Sequence, residues 1–194
     1  MRVSSRATLR YGTEILSVVS RRWLVSTEGA QLVEFALAVP FLLVMIVGIL
    51  DFGGAYNLKQ KLNNATREGA RYAVNQSSNI SDINTTSVSA IGTVVSNYLT
   101  NSGVTKCAIG NASGGPLNYT FSSTSTGCGS FQLAVNRGAT ITSGSVTYLA
   151  TKITITYPYS WSIGTLMKLF LPASTLNSAL PSSLQTDTTM QNIN

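Results

Sequence analysis

The sequence contains no histidine, and charged residues make up only 10% of it, against about 25% in an average globular protein. Without imidazole, the commonest general base and metal ligand is missing, which excludes Ser-His-Asp triads, Cys-His pairs and the usual zinc sites. The carboxylates beyond residue 29 are scattered, and no two lie at short spacing: Glu34, Asp51, Glu68, Asp82 and Asp187. We therefore expect no enzyme, no catalytic residue, no cofactor and no metal.

The net charge of +6 has no nucleic-acid-binding pattern. Residues 1–29 hold five arginines and two glutamates, which gives +3, and the other +3 is spread over the remaining 165 residues. A nucleic-acid binder would concentrate Lys and Arg on one face. The basic density instead lies immediately before an apolar run, where it acts as a membrane-topology signal.

Residues 35–50 form that run, FALAVPFLLVMIVGIL, sixteen residues without a charge. Extending it back to Leu32 gives nineteen residues interrupted only by Glu34. At about 1.5 Å per residue this helix is about 28 Å long, close to the hydrocarbon thickness of about 30 Å. A buried core helix, the alternative, would carry a polar stripe at helical period, and none is present. The run predicts a transmembrane helix.

The flanking charges predict the orientation of this helix. Arg21 and Arg22 precede it, and Asp51 is the first charge after it. The positive-inside rule then keeps the N-terminus cytoplasmic and exports the C-terminal part. No small-residue A-x-A cleavage site follows the run, so the segment stays in the mature chain. We expect a single-pass protein of the cytoplasmic (inner) membrane, in contact with the lipid bilayer, with an extracytoplasmic domain.

The junction before the helix reads EGAQLVEF, residues 28–35. A carboxylate entering a membrane helix is costly, and one interpretation is that Glu34 reaches the interface near the helix N-terminus. However, Glu34 comes five residues after Gly29, which ends a basic leader. This arrangement resembles the type III signal of prepilins. The resemblance implies that a prepilin peptidase cuts between Gly29 and Ala30, and that Glu34 pairs with the new amine of a neighbouring subunit and sets its register.

The resemblance extends over residues 28–74, which are similar to the N-terminal domain of TadE-like pilus-assembly proteins. The shared pattern is a small-residue junction, a Glu, an apolar span with the mid-helix Pro40, Asp51 after the span, and an A-x-R-x-G-A-R motif at residues 65–71. Such proteins are minor pilin-like (pseudopilin) components of the Tad/Flp adhesive pilus. The resemblance implies other pilin or pseudopilin subunits and the inner-membrane assembly platform as partners, and a place in a surface pilus.

Other functions compete with this one. The chain is alternatively a membrane-anchored surface-binding or adhesion module, in which the helix is only a tether and no filament forms. Processing after Gly29 discriminates the two, because a tether does not need it. An anchored hydrolase is disfavoured by the missing histidine and dispersed acids. A major pilin is disfavoured because Tad/Flp major pilins resemble one another in being much shorter.

The membrane helix is predicted to continue to Val74 as an amphipathic extension. Apolar and small residues recur at spacings of three and four and form one stripe along the helix: Phe52, Ala55, Leu58, Leu62, Ala65, Gly69 and Tyr72. Arg67 and Arg71 are four residues apart and share a face. They contact a partner subunit or form a solvated surface, and spacing alone leaves both open. We treat Asp51, Arg67 and Arg71 as assembly or structural residues of this helix.

Residues 75–173 are predicted to form a small exported domain. A helix is expected at 88–99 and strands at 119–121, 131–135 and 146–157. Pro158 indicates that the last strand ends there or lies at an edge of the sheet. Residues 161–171 read as a short apolar helix or loop, and residues 174–194 as a flexible tail. With residues 1–29 as the leader and 30–74 as the long helix, the expected fold is pilin-like and α+β, with a mostly antiparallel sheet.

Cys107 and Cys128 are the only cysteines. An exported location favours a disulfide between them over two free thiols. A metal site is disfavoured because other soft ligands are missing.

Overall fold

The structure, a computed structural model, describes residues 27–76, 79, 82–167 and 180–192. Most of the predicted leader, residues 1–26, lies outside the described residues. The chain divides into two compact units after Gly48. The elements, in chain order, are α1 (Thr27–Val74), α2 (Thr85–Asn101), β1 (Ala112–Gly114), β2 (Asn118–Ser122), β3 (Gln132–Ser143), β4 (Val146–Pro158), α3 (Ser162–Met167) and β5 (Ser183–Gln191).

The first unit contains the apolar part of α1. Its exposed large side chains range from 46% exposure at Ile46 to 76% at Phe41, and Pro40 lies within the helix. Among the described residues, α1 is the one helix long and apolar enough to cross a membrane. Only 6% of its most apolar window is buried, which argues against the core-helix alternative.

The second unit is built on a five-stranded antiparallel sheet. The strand order is β1-β2-β3-β4-β5, so each strand pairs with its neighbour in sequence. A two-residue turn at Gly144-Ser145 connects β3 and β4, and Gly144 has φ +63°, a conformation that glycine adopts without steric cost. The predicted α+β class is confirmed.

The core of this unit lies between one face of the sheet and the helices. Period-two alternation buries Leu133 and Val135 of β3 against Ile153 and Ile155 of β4. Helix α2 adds its own apolar stripe, and it begins with a capping box in which Asn84 and Ser87 satisfy each other's backbone N–H groups. The predicted alternation along β4 and the predicted helix at 88–99 are both present.

The second half of α1 also packs into this core, although the predicted stripe is wrong at both ends. Leu62 and Ala65 are fully buried, whereas Phe52 is 59% and Tyr72 is 39% exposed. Near the end of the helix the buried positions are Ala73 and Val74, which lie about 100° and 200° around the helix from Tyr72. Apolar character alone did not separate these adjacent positions.

The predicted flexible tail at 174–194 is wrong for residues 183–191. These residues form β5, which pairs with β4 from Ala150↔Gln191 to Pro158↔Ser183. The Thr188 hydroxyl also lies 2.8 Å from that of Thr66, which is buried in α1. The strand is rich in Ser, Thr and Gln and occupies a sheet edge, so its composition resembles a linker. Residues 174–179 lie outside the described residues.

Candidate assembly site

The predicted processing junction lies in the first turn of α1. The helix begins at Thr27, so the Gly29–Ala30 peptide bond is two residues inside it, and Ala30 is exposed. The predicted junction therefore lies at the N-terminal end of the described helix.

Glu34 is exposed on α1 among exposed apolar side chains. Phe35 is 66% and Leu37 is 68% exposed. The residues four positions from Glu34 on either side are the small residues Ala30 and Ala38. These methyl groups leave the carboxylate accessible to a group approaching from the side of the helix.

Asp51, by contrast, is buried within the second unit. Its side chain is only 9% exposed, and its carboxylate accepts a hydrogen bond of 2.6 Å from the backbone N–H of Ile163 at the start of α3. Its backbone carbonyl accepts a bond of 3.0 Å from the Tyr159 hydroxyl. These contacts fix the β4–α3 connection against α1, which is a structural use of this carboxylate.

An aromatic cluster that the sequence did not predict surrounds Asp51. The Trp161 ring lies 4.9 Å from Tyr159 and 5.2 Å from Phe52, measured between ring centroids. The Trp161 indole N–H donates to the carbonyl of Pro181 at 2.7 Å. Burial, followed by the negative charge of Asp51, raises the pKa of the Tyr159 hydroxyl above its ordinary value. The sequence signal was the pair of aromatics directly after Pro158.

The A-x-R-x-G-A-R motif divides between two faces of α1. Arg67 and Arg71 are exposed, whereas Ala65, Gly69 and Ala70 are buried. A Cβ atom at Gly69 would lie 2.6 Å from Val95 of α2 and 3.1 Å from Ile153 of β4. The small residues of the motif therefore serve close packing, and the arginines are left on the surface.

Arg137 is a buried cation that the sequence did not single out. It lies at the bulge in β3, is 1% exposed, and its guanidinium donates a hydrogen bond to the carbonyl of Ala73 in the last turn of α1. A cation is favourable there because the last helical carbonyls lack intrahelical partners and carry partial negative charge. Burial lowers the pKa of Arg137. The one sequence signal for this buried cation was a basic residue that lies between β-branched residues, which are typical of strands.

The predicted disulfide between Cys107 and Cys128 is confirmed. The bonded cysteines have Cα atoms 5.7 Å apart, and both are buried. The bridge closes the loops between α2 and β3 around the short strands β1 and β2. Burial raises the pKa of Tyr157, and a hydrogen bond between its hydroxyl and the backbone at Cys107 opposes this rise.

The described residues contain no group of three or more His, Cys, Asp or Glu side chains placed to hold a metal.

Comparison with known families bears on the helix alone. A family model described as TadE-like protein matches residues 29–71. The resemblance to TadE-like proteins is confirmed over these residues. The match includes Gly29, Glu34, Asp51 and the whole of the A-x-R-x-G-A-R motif, and it connects the chain to the Tad pilus system. No curated protein and no solved structure matches the chain.

Proposed function

We propose that the protein is a minor pilin-like (pseudopilin) membrane protein that takes part in assembly of a Tad/Flp-type adhesive pilus. The observation that carries the proposal is the exposure of Glu34 on an otherwise apolar helix inside the TadE-like match. Nothing among the described residues covers this surface. A carboxylate is costly in lipid unless a partner neutralises it, so a neighbouring subunit is the natural complement.

Cleavage of the leader would supply the positive charge that neutralises Glu34. In the proposal, a prepilin peptidase cuts between Gly29 and Ala30 on the cytoplasmic side of the membrane. The cut removes the basic leader and leaves an ammonium group on Ala30. Because Glu34 then lies one helical turn from the end of the chain, its carboxylate and the new ammonium are displayed together on the first two turns of α1.

Pairing between subunits follows from the energetics of buried charge. A Glu34 carboxylate and an Ala30 ammonium from adjacent helices attract strongly in a low-dielectric bundle. A subunit placed one turn out of register leaves both charges unpaired, and breaking a buried pair costs about 3–5 kcal/mol. The pair therefore selects one axial position among apolar surfaces that otherwise slide freely.

The orientation of α1 in the membrane determines where the other proposed partners meet the chain. The leader faces the cytoplasm, the sheet-containing unit is extracytoplasmic, and the apolar helix passes through the inner membrane. Subunits leave the membrane through the assembly platform. Arg67 and Arg71 are exposed on the extracytoplasmic half of α1, where they are available to neighbouring subunits.

The experiment compares Glu34→Gln with Glu68→Gln, an exposed carboxylate on the same helix. Both variants should insert in the membrane and be cut after Gly29. Glu34→Gln should fail to co-purify with pilus components, because the Ala30 ammonium of its neighbour loses its partner. Glu68→Gln should co-purify like the wild type. Membrane level, mature mass and co-purification are measured on the same preparations.

Normal co-purification of a stable Glu34→Gln variant would mean that Glu34 is only an interfacial anchor. The register mechanism would then be wrong. A wild-type chain that is never processed and never associates with pilus components would favour the surface-binding module instead.

A further inference from the structure

Four aromatic rings lie just beyond the end of the apolar run, and we call them the aromatic collar: Phe52 and Tyr56 of α1, with Tyr159 and Trp161 of the β4–α3 connection. Phe52 is 59% and Tyr56 is 67% exposed. They are four residues apart and therefore share a face of α1. Trp161 packs on both Phe52 and Tyr159, which joins the helix and the connection into one surface.

The position of the collar can be compared with the dimensions of a bilayer. Leu50, the last residue of the apolar run, is 70% exposed. The polar layer on each side of the hydrocarbon core is about 5–7 Å thick. At 1.5 Å per residue, Phe52 lies about 3 Å beyond Leu50 and Tyr56 about 9 Å beyond it. The collar thus begins within the headgroup layer at Phe52 and ends just past its outer edge at Tyr56.

The β4–α3 connection places the rings of Tyr159 and Trp161 beside the same turn of α1. The Tyr159 hydroxyl bonds the carbonyl of Asp51, one residue beyond Leu50, and Trp161 lies against Phe52. The indole N–H of Trp161 already has an acceptor in Pro181, so this ring leaves water without losing a hydrogen bond. The charge of Asp51 is shielded under the same connection at 9% exposure.

The chemistry of these side chains matches a membrane interface. Tyr and Trp concentrate at the headgroup level, where an apolar ring and a polar edge are both accommodated. Ile49 and Phe52 are three residues apart on α1 and share an exposed apolar face, and such surface is unfavourable in water. The open face of the sheet, in contrast, carries polar residues such as Gln132 and Lys152.

We propose that the aromatic collar sits in the lipid headgroup layer, so that the extracytoplasmic unit rests directly on the bilayer before it enters a filament. The proposal relies on the membrane placement given under the proposed function, and it is independent of the peptidase and of Glu34. A linker that held the domain away from the membrane would leave these rings in water.

Tryptophan fluorescence tests this directly. The chain has two tryptophans, Trp23 in the leader and Trp161, so Trp23→Phe leaves Trp161 as the single reporter. The full-length variant is reconstituted in phosphatidylcholine vesicles whose acyl chains are brominated either near the headgroup or near the chain end. Trp161 should lose most of its emission with the shallow label, lose less with the deep label, and be protected from aqueous iodide.

A matched control moves the reporter to the β3–β4 hairpin. Trp23→Phe/Trp161→Phe/Tyr148→Trp places an indole at a position that is 38% exposed and outside the collar. Provided that its circular dichroism matches the parent, its emission should be quenched by iodide and unchanged by either lipid label.

Flotation of the vesicles distinguishes a failure of the collar proposal from a failure of the membrane placement. If the protein floats with lipid but Trp161 responds to iodide and not to bromine, the collar proposal is wrong and the pseudopilin proposal is unaffected. If the protein does not float, the membrane placement itself is wrong and both proposals fail. Stronger quenching by the deep label than by the shallow one would also contradict a headgroup location.

Discussion

Gly69 of α1 and Val95 of α2 approach so closely that a methyl group at position 69 would lie 2.6 Å from the Val95 Cγ2 atom. Val95 is fully buried and β-branched, so it cannot rotate away easily. The same methyl group would lie 3.1 Å from Ile153. The two helices and the sheet therefore meet at a position where only hydrogen fits.

We expect Gly69→Ala to lower the free energy of unfolding of the second, sheet-containing unit by about 1–3 kcal/mol through overpacking. Gly53→Ala is the matched control on the same helix, because a Cβ there meets nothing within 4 Å. Alanine at position 53 should stabilise the helix by about 0.5–1 kcal/mol. Urea unfolding followed by circular dichroism measures both. Equal effects at the two glycines would mean that the close approach at Gly69 does not exist.

Arg137 gives a second prediction. Arg137→Ala removes the donor to the Ala73 carbonyl and leaves a cavity, so unfolding should become easier by at least about 1–3 kcal/mol. Arg67→Ala and Arg71→Ala remove equal charges from exposed positions of α1, and should change stability by no more than about 0.5 kcal/mol. The comparison is made by the same urea titration at several salt concentrations. A neutral Arg137→Ala would show that the end of α1 does not depend on this contact.

The buried Tyr157 and the half-buried Tyr159 predict a loss of stability at alkaline pH. Burial raises the pKa of Tyr157, and burial with the Asp51 charge raises that of Tyr159, above the ordinary 10.0. The folded state thus keeps these protons while the unfolded state releases them. Stability should be unaffected by these groups below about pH 10 and should fall as the pH rises past it.

Thermal unfolding between neutral pH and about pH 11 measures this fall. Tyr157→Phe/Tyr159→Phe should flatten the alkaline slope, even if its stability at neutral pH is lower because two hydroxyl hydrogen bonds are lost. Asp51→Asn should flatten it in part, since it removes the charge that faces Tyr159. An unchanged slope in the double variant would mean that other groups govern alkaline unfolding.

The sequence predicted the elements whose patterns are strong and local. The apolar run, the helix at 88–99 and the alternation of Ile153, Ile155 and Tyr157 are each determined by burial of one face, and all are present. The Cys107–Cys128 bond followed from the expected export of the domain and from the presence of only two cysteines. These features depend little on distant parts of the chain.

The features that the sequence did not predict depend on distant partners. Strand β5 has few apolar residues, and its pairing with β4 and the contact between Thr66 and Thr188 are visible only after folding. Arg137 and Asp51 similarly look like surface charges until the carbonyl of Ala73 and the N–H of Ile163 are brought to them. Local pattern carries no information about such long-range polar contacts.

The mature N-terminus tests the central proposal most directly. The protein is extracted from membranes of the native organism, and its N-terminal residue and intact mass are determined. The proposal predicts that the mature chain begins at Ala30, and that substitution of Gly29 by a bulky residue blocks this processing. A mature chain that keeps Met1, or one cut near Gly53, would contradict the pseudopilin assignment.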